Sequence, residues 1–194
     1  MAPLKLLYLD VETTGLASPA CGLIQLGAVV EIDGVVRETF EMRMQPVPGD
    51  QIEDDALAVH GFDRAVLQQF PPAAAGYAAF LALLTRYIDR FDPRDKFHLV
   101  AYNAAFDAAH LRAWFEKHRD RFFGAWFWHP PIDVMGLAAA LMIDKRAVLP
   151  NFKLATVAEA LDVAVDPSQT HDALYDVRLT QAVYHLLRRR MAPA

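Results

Sequence analysis

The strongest constraint on the fold is a pair of β-forming runs that flank the dipeptide Asp33-Gly34. The runs cover residues 23–32 (LIQLGAVVEI) and 35–44 (VVRETFEMRM). Asp-Gly readily adopts the two positive φ angles that a two-residue hairpin turn requires. The sequence therefore predicts an antiparallel hairpin, which any sheet in this chain must include.

Strand and helix patterns alternate around this hairpin. Strands are predicted at 6–11 (LLYLDV), ended by a turn in ETTG, and at 97–102 (FHLVAY). After Pro71-Pro72, one helix is predicted because apolar residues recur at the spacing of a single helix face: Phe80, Leu83, Leu84, Tyr87, Ile88 and Phe91. Two short helices are also predicted, the first ended by Gly61 and the second begun by Asp63. Longer helices are predicted from about Ala104 to His118 and at 133–143, 153–161 and 172–190. The aromatic residues at 122–131 are predicted to lie in a loop. The whole pattern is typical of an α/β domain with a mixed sheet that starts with an antiparallel hairpin and is flanked by helices.

Composition excludes several classes of protein. No apolar run approaches the ~20 residues that a bilayer span needs, so we expect a soluble protein. One cysteine, Cys21, and an N-terminus without a signal-peptide pattern favour a cytoplasmic setting. A net charge of −5 excludes a polybasic protein that coats nucleic acid by charge alone. The length of 194 residues predicts a single domain over 1–194.

Two carboxylates end the first predicted strand. Asp10 and Glu12 are two residues apart, and strand side chains alternate, so both project from one face. A D-x-E pair alone is more often an exposed pair at a strand end. Here the neighbouring residues are apolar, and two charges in such a strand must be paired, neutralised or bound to a metal.

Other candidate residues lie near predicted helix starts. Asp107 falls in the first turn of the helix after FHLVAY, where an anion is favoured, and Asn103 before it is either an N-cap or a functional residue. Asp176 lies on the last helix, five residues after His171. Five residues correspond to ~140° around a helix, so His171 reaches the side of Asp176 only from the preceding loop. Otherwise His171 is a capping or surface residue.

Three segments carry a resemblance to a known family. LDVETTGL at 9–16, AYNAAFDAAHL at 101–111 and HDALYDVRLT at 171–180 resemble, in order and spacing, the motifs of the DEDDh family of 3′ to 5′ exonucleases. VHGF at 59–62 and NFKLATVAEAL at 151–161 resemble further family segments. The resemblance implies a ribonuclease H-like exonuclease fold. It also implies hydrolysis of phosphodiester bonds at the 3′ end of single-stranded nucleic acid, with DNA favoured over RNA, to release nucleoside 5′-monophosphates.

The resemblance assigns roles residue by residue. It implies two divalent ions, Mg²⁺ or Mn²⁺, and an all-oxygen ligand set suits both. The implied metal ligands are Asp10, Glu12, Asp107 and Asp176. The implied general base is His171. The implied substrate contacts are Thr13, Thr14 and Leu16 at the terminal nucleotide and Asn103, which orients the site.

Several alternatives stay open at this point. Leu16 and Val59 are aliphatic where the ribonuclease T branch of the family uses aromatic platforms, so base selectivity is undetermined. Only 18 residues follow Asp176, which favours a standalone enzyme over a proofreading subunit tethered to a polymerase, and a homodimer stays open. Lys153 and Arg178 are either phosphate contacts or solvated cations, and residues 126–128 either stack on bases or form a satellite hydrophobic cluster. The competing functions are a non-catalytic nucleic-acid-binding module, an exoribonuclease, and a phosphoesterase for small phosphates.

Overall fold

The computed structural model describes residues 2–169 and 172–191 and contains a five-stranded mixed sheet with the order β3-β2-β1-β4-β5. The first three strands are antiparallel, and β4 and β5 run parallel to β1. The strands are β1 (Lys5–Thr13), β2 (Leu23–Ile32), β3 (Val35–Arg43), β4 (His98–Ala101) and β5 (Ile132–Asp133). The predicted mixed sheet is therefore confirmed, and β1 occupies its centre.

The predicted hairpin is present with the predicted turn. Asp33 and Gly34 have φ angles of 52° and 78°, as a two-residue turn between twisted strands requires. The first strand extends beyond the predicted 6–11. Glu12 and Thr13 stay paired with β2 across a register shift instead of starting the turn.

Helices cover the two faces of the sheet. They are α1 (Asp54–His60), α2 (Arg64–Leu67), α3 (Ala73–Tyr87), α4 (Ala104–Lys117), α5 (Phe123–Trp126), α6 (Val134–Leu141), α7 (Leu154–Glu159) and α8 (Ala173–Met191). As predicted, Gly61 ends α1 with a φ of 74°, and the side chain of Asp63 caps α2 by accepting from the N–H of Val66.

The alternation of β1 divides the core into two layers. Leu7 and Leu9 point to the layer that includes Phe80 and Trp114 of α3 and α4. Leu6 and Tyr8 point to the opposite layer, which α6, α7 and α8 cover. Even-numbered residues of β1 therefore face α8, and this parity sets the direction in which Asp10 and Glu12 project.

Two sequence expectations were wrong. Phe91 does not belong to the buried helix face: α3 ends at Tyr87, the chain becomes extended at Ile88, and Phe91 is 81% exposed. The segment 122–131 is not simply a loop, because it contains α5. The ring of Trp126 is buried in the main core, so it neither stacks on bases nor forms a satellite cluster.

Within the described part of the chain, no helix is both long and apolar enough to cross a bilayer. The cytoplasmic setting stays a prediction.

Candidate metal centre

The first carboxylate pair projects from the centre of the sheet toward α8. Asp10 pairs with Gly27 of β2, and Glu12 pairs with Gln25. Gly27 has no side chain, and the backbone of Ala173 fills the space where one would stand. The first turn of α8 therefore packs directly against β2 beside Asp10.

Three carboxylates meet as a result of this packing. One oxygen each from Asp10, Glu12 and Asp176 lies within 4.8 Å of the others. Two of these groups come from β1 and the third from the first turn of α8. Three hard oxygen donors at this separation suit a cation such as Mg²⁺ or Mn²⁺.

Asp107 stands beside this group on the first turn of α4. Its carboxylate is buried, and its Oδ1 accepts a hydrogen bond of 3.2 Å from the backbone N–H of Val11. Val11 lies between Asp10 and Glu12 in β1. This bond therefore ties the start of α4 to the strand that carries the other two carboxylates.

Burial and neighbouring carboxylates raise the pKa of Asp10, Glu12 and Asp107. Burial is the main cause for Asp10, whose pKa is raised well above its usual range, and the charges of Asp107, Glu12 and Asp176 add to it. Burial and the charges of Asp176 and Asp107 raise the pKa of Glu12 to about 8. For Asp107, burial outweighs the stabilising N–H donors, and its pKa also rises to about 8.

The charge of this carboxylate cluster is suited to a bound cation. None of the described residues that line the cavity is a lysine or an arginine. Burying several like charges together is costly, and a divalent ion would keep these groups ionised at neutral pH. The donor set and the raised pKa values both agree with a metal centre formed by Asp10, Glu12, Asp107 and Asp176.

The carboxylates open into a cavity of about 340 Å³. Leu16 is 80% exposed and Val59 is 54% exposed at its rim, and Phe106 and Tyr102 contribute aromatic surface. Thr13 also lines the cavity, next to Glu12. With cations held by the carboxylates, such a cavity can accommodate a phosphate group together with the nucleoside attached to it.

Thr14 is buried, and its hydrogen bonds stabilise the turn after β1. Its Oγ1 donates a hydrogen bond of 2.5 Å to the carbonyl of Gln51 and accepts one of 2.7 Å from the N–H of Gly22. Its own N–H donates to the carbonyl of Gly22, and its carbonyl accepts from Glu53. Thr14 is fully buried, and each of its polar groups is engaged in holding the turn after β1. Its predicted contact with the terminal nucleotide stays a prediction.

Asn103 lines the cavity in a left-handed backbone conformation with a φ of 65°. It occupies the N-cap position of α4, but its side chain makes no capping bond. The side chain of Asp133 caps α4 instead: its Oδ1 accepts from the N–H groups of Asn103 and Ala104 at 3.1 and 3.3 Å. The N-cap alternative for the Asn103 side chain is therefore wrong.

His171 lies outside the described residues, so its predicted role stays a prediction. The Oδ1 of the next residue, Asp172, accepts from the N–H of Tyr175 at 3.1 Å and so caps α8. The buried side chain of Gln25 donates to Asp172 Oδ2 at 3.3 Å, and Arg43 lies 3.7 Å from the same oxygen.

Several residues of the site were not predicted from the sequence. Asp133, Asp172 and Gln25 position the elements that carry the carboxylates. His60 lines the cavity, and its ring packs 4.9 Å from that of Phe62. Asp172 precedes a predicted helix, so a search for N-caps would have found it. The other contacts join distant parts of the chain and leave no local pattern.

The chain is similar in sequence to known exonucleases. A family model of exonucleases, RNase_T, matches residues 7–184. A PolC-type DNA polymerase III of Thermotoga petrophila is 28% identical over 176 residues, which cover 91% of this chain and 11% of the polymerase. A ribonuclease T of Haemophilus ducreyi is 27% identical over 194 residues, which cover 94% of this chain and 84% of the ribonuclease. The chain thus spans about a tenth of the polymerases and most of the ribonuclease.

Solved structures share the fold. A zinc-bound complex of E. coli exonuclease I with single-stranded DNA superposes with a TM-score of 0.76 at 20% identity, over 97% of this chain and 41% of that one. An exonuclease I structure without ligand gives a TM-score of 0.75 at 19% identity, over 97% and 42%. The sheet order and flanking helices described above are therefore those of an exonuclease fold.

Proposed function

Because this chain belongs to the RNase_T family of exonucleases, we propose that it shortens single-stranded DNA from its 3′ end and releases nucleoside 5′-monophosphates. Membership confirms the exonuclease family and the fold predicted from the three motifs. The preference for DNA, the single domain over 1–194 and the two-ion mechanism are proposals.

The observation that carries this function is the meeting of carboxylates from three elements. β1 supplies Asp10 and Glu12, α4 supplies Asp107, and α8 supplies Asp176. They share a cavity whose described lining contains no lysine or arginine. A group of acids is a poor place for a phosphodiester unless cations lie between them, so the arrangement supports metal-dependent phosphoryl transfer.

Two divalent ions would be held by these four carboxylates. When bound, they supply the charge that activates the attacking water and stabilises the departing 3′ oxygen. The residues contribute by position: the N–H of Val11 fixes Asp107, and the packing at Gly27 fixes the helix that carries Asp176. Fixed ligands need no reorganisation during the reaction.

His171 is proposed as the general base that takes a proton from the attacking water. Histidine titrates near neutral pH, which suits this task. Residue 171 precedes the first residue of α8 by two positions, and the cap formed by Asp172 fixes the start of that helix.

The terminal nucleotide is proposed to occupy the cavity beside the carboxylates. Leu16 and Val59 offer aliphatic surface, and Phe106 offers an aromatic face that tolerates any base. The polymerase relatives and the exonuclease I complex with single-stranded DNA support DNA as substrate. The ribonuclease T relatives support RNA as the second candidate.

A single assay separates these possibilities. We would incubate 5′-labelled single-stranded DNA, RNA of the same sequence and dinucleotides with the protein and Mg²⁺ or Mn²⁺. The expected result is a ladder of products shortened from the 3′ end, faster for DNA, that disappears with a chelator and in Asp10→Ala. Faster degradation of RNA would identify an exoribonuclease. Retarded but intact oligomers would identify a binding module, and cleavage of dinucleotides alone would identify a phosphoesterase.

A further inference from the structure

The proposed substrate is a polyanion, yet the described lining of the cavity contains no lysine or arginine. The cations of the metal centre would meet the phosphate at the terminal nucleotide. The phosphates of the strand behind that nucleotide must be met outside the cavity. Arg43 contacts Asp172 at the start of α8, and Arg146 contacts Phe152, whose carbonyl is bonded to the lining residue Tyr102.

Arg43 has little free charge to offer. Its guanidinium lies 3.8 Å from Glu41 and 3.7 Å from Asp172, two carboxylates that offset it. It also lies over the ring of Phe62, 5.2 Å from the centroid. These contacts give Arg43 a structural task at the start of α8.

Arg146 has a different environment. It is exposed, and in the part of the chain that the structure describes no carboxylate forms an ion pair with it. Its guanidinium lies 4.5 Å from the centroid of the Phe152 ring. A guanidinium stacked on an aromatic ring is preorganised, and its N–H donors still point outward to a phosphate.

Phe152 connects this arginine to the cavity. The carbonyl of Phe152 accepts a hydrogen bond of 2.7 Å from the hydroxyl of Tyr102, which lines the cavity. The pKa of the Tyr102 phenol is raised by burial and by Asp133, and the positive charge of Arg146 opposes this rise. Arg146 is therefore separated from the cavity by two contacts.

The surface around Arg146 also suits a single strand. Ile143 and Val148 are 74% and 78% exposed on the same segment. Lys153 follows Phe152 and is exposed, and it has no ion-pair partner within residues 2–169 and 172–191. Cations beside an aromatic ring, here Phe152, are typical of surfaces that bind a single strand.

We infer that Arg146, held on the ring of Phe152 and accompanied by Lys153, binds a backbone phosphate of the substrate strand on the 5′ side of the terminal nucleotide. This inference rests on the proposed function and extends it, because it gives the direction in which the strand leaves the cavity. A dinucleotide is too short to reach this contact, whereas an oligomer of about 20 nucleotides has enough phosphates to extend past it.

The test compares Arg146→Gln with Arg189→Gln, which removes the same charge from the exposed end of α8. Residue 189 lies ~20 Å along the helix axis from Asp176. KM and kcat are measured for a DNA oligomer of about 20 nucleotides and for a dinucleotide, at several salt concentrations. The Kd of the oligomer is measured separately by fluorescence anisotropy in chelator, where no hydrolysis occurs.

For Arg146→Gln we expect KM and Kd of the oligomer to rise about fivefold, equivalent to ~1 kcal/mol, with kcat within twofold of wild type. The slope of log Kd against log salt should fall by ~0.7, the value for one phosphate of a single strand. Arg146→Lys should retain most of that slope. The dinucleotide and the Arg189→Gln variant should show less than a twofold change.

Two results would overturn the inference: an unchanged KM and Kd for the oligomer in Arg146→Gln, or an equal loss for the dinucleotide. The second would mean that Arg146 acts through Tyr102 on the cavity itself. The two proposals also fail separately. If the oligomer binds in a way that depends on Arg146 but is not hydrolysed, the proposed function is wrong and the inference stands. If the oligomer is hydrolysed equally well by wild type and Arg146→Gln, the proposed function stands and the inference is wrong.

Discussion

The carbonyl of Ala173 lies 2.6 Å from the point where a Cβ on Gly27 would stand. Gly27 pairs with Asp10 across the two central antiparallel strands, so α8 begins directly over the strand pair that carries the first carboxylate. Backbone occupies that space on the α8 side and cannot rotate away as a flexible side chain would. The position of Asp176 therefore depends on the absence of a side chain at residue 27.

Gly27→Ala should destabilise the protein by ~1–3 kcal/mol, the usual cost of an added group in a filled space. It should also lower turnover more than tenfold, because the helix start must move and Asp176 moves with it. The matched control is Gly124→Ala in α5, where no atom lies within 4 Å of an added Cβ and stability should not fall. Denaturant unfolding and initial rates measure both effects, and equal stability of the two variants would contradict the packing argument.

Asp172 is predicted to matter as a helix cap more than as a charge. Asp172→Ala removes the acceptor of the Tyr175 N–H and should cost ~1 kcal/mol, with a several-fold loss of turnover. Asp172→Asn keeps an acceptor oxygen but loses the charge beside Arg43, and it should stay near wild type in both measurements. A larger loss in Asp172→Asn than in Asp172→Ala would assign the effect to the ion pair.

Removing a carboxylate from the cluster should stabilise the metal-free protein while abolishing its activity. Glu12 is buried and repelled by Asp176 and Asp107, and Glu12→Gln relieves that repulsion. In chelator, its melting temperature should exceed that of wild type, and addition of Mn²⁺ should raise it less. Glu116→Gln on the exposed side of α4 is the control and should leave stability and turnover unchanged. A lower melting temperature for Glu12→Gln in chelator would argue against repulsion in the cluster.

The metal-free protein should lose stability as the pH rises. Glu12 and Asp107 have folded-state pKa values of about 8, above their ordinary values of 4.5 and 3.8, mainly because they are buried. Between these limits the folded chain binds more protons than the unfolded chain, so its free energy of unfolding falls with pH and levels off above the folded-state pKa. Thermal melts in chelator from about pH 5 to 9 should show this fall. Mg²⁺ or Mn²⁺ should stabilise the protein more at the alkaline end, and a flat profile in chelator would contradict the raised pKa values.

His171→Ala should separate proton transfer from metal binding. Loss of a general base typically costs ~10² to 10⁴ in rate, so turnover should fall by that amount. Stabilisation by Mn²⁺ in thermal melts should persist, because the four carboxylates are intact. The acidic limb of the kcat profile should disappear in the variant, and unchanged turnover would remove the general-base assignment.

Local chemistry explains which parts of the fold could be predicted. The Asp33-Gly34 turn and the stop of α1 at Gly61 depend on residues adjacent in sequence, and both were predicted correctly. Phe91 fits the helical period, but the chain has already left α3. Asp95 accepts from the N–H of Asp89 and pairs with Lys5, a contact that periodicity cannot reveal.

Short elements were missed for a related reason. β5 contains two residues, too few for any alternation to show, and it forms only because Ile132 and Asp133 pair with β4. The one-turn helix α5 depends on its buried aromatic residues, whose burial is a tertiary property. Such elements become visible only when the sheet edge beside them exists.

In the candidate site, too, local contacts could be predicted from the sequence and long-range contacts could not. Strand alternation was enough to place Asp10 and Glu12 on one face. No spacing argument could bring Asp107 and Asp176 to them, and that step depended on the resemblance of three motifs. Asp133, which holds the start of α4, was missed because its partners lie about 30 residues away along the chain.

The origin of Asp176 in α8 has a consequence for the synthesis of the protein. A chain emerges from the ribosome with its N-terminal part first, so Asp10, Glu12 and Asp107 are exposed to solvent well before Asp176 exists. The metal centre closes only when α8 docks on β1 and β2. The proposed nuclease is therefore inert until α8 has been synthesised and has docked on the sheet.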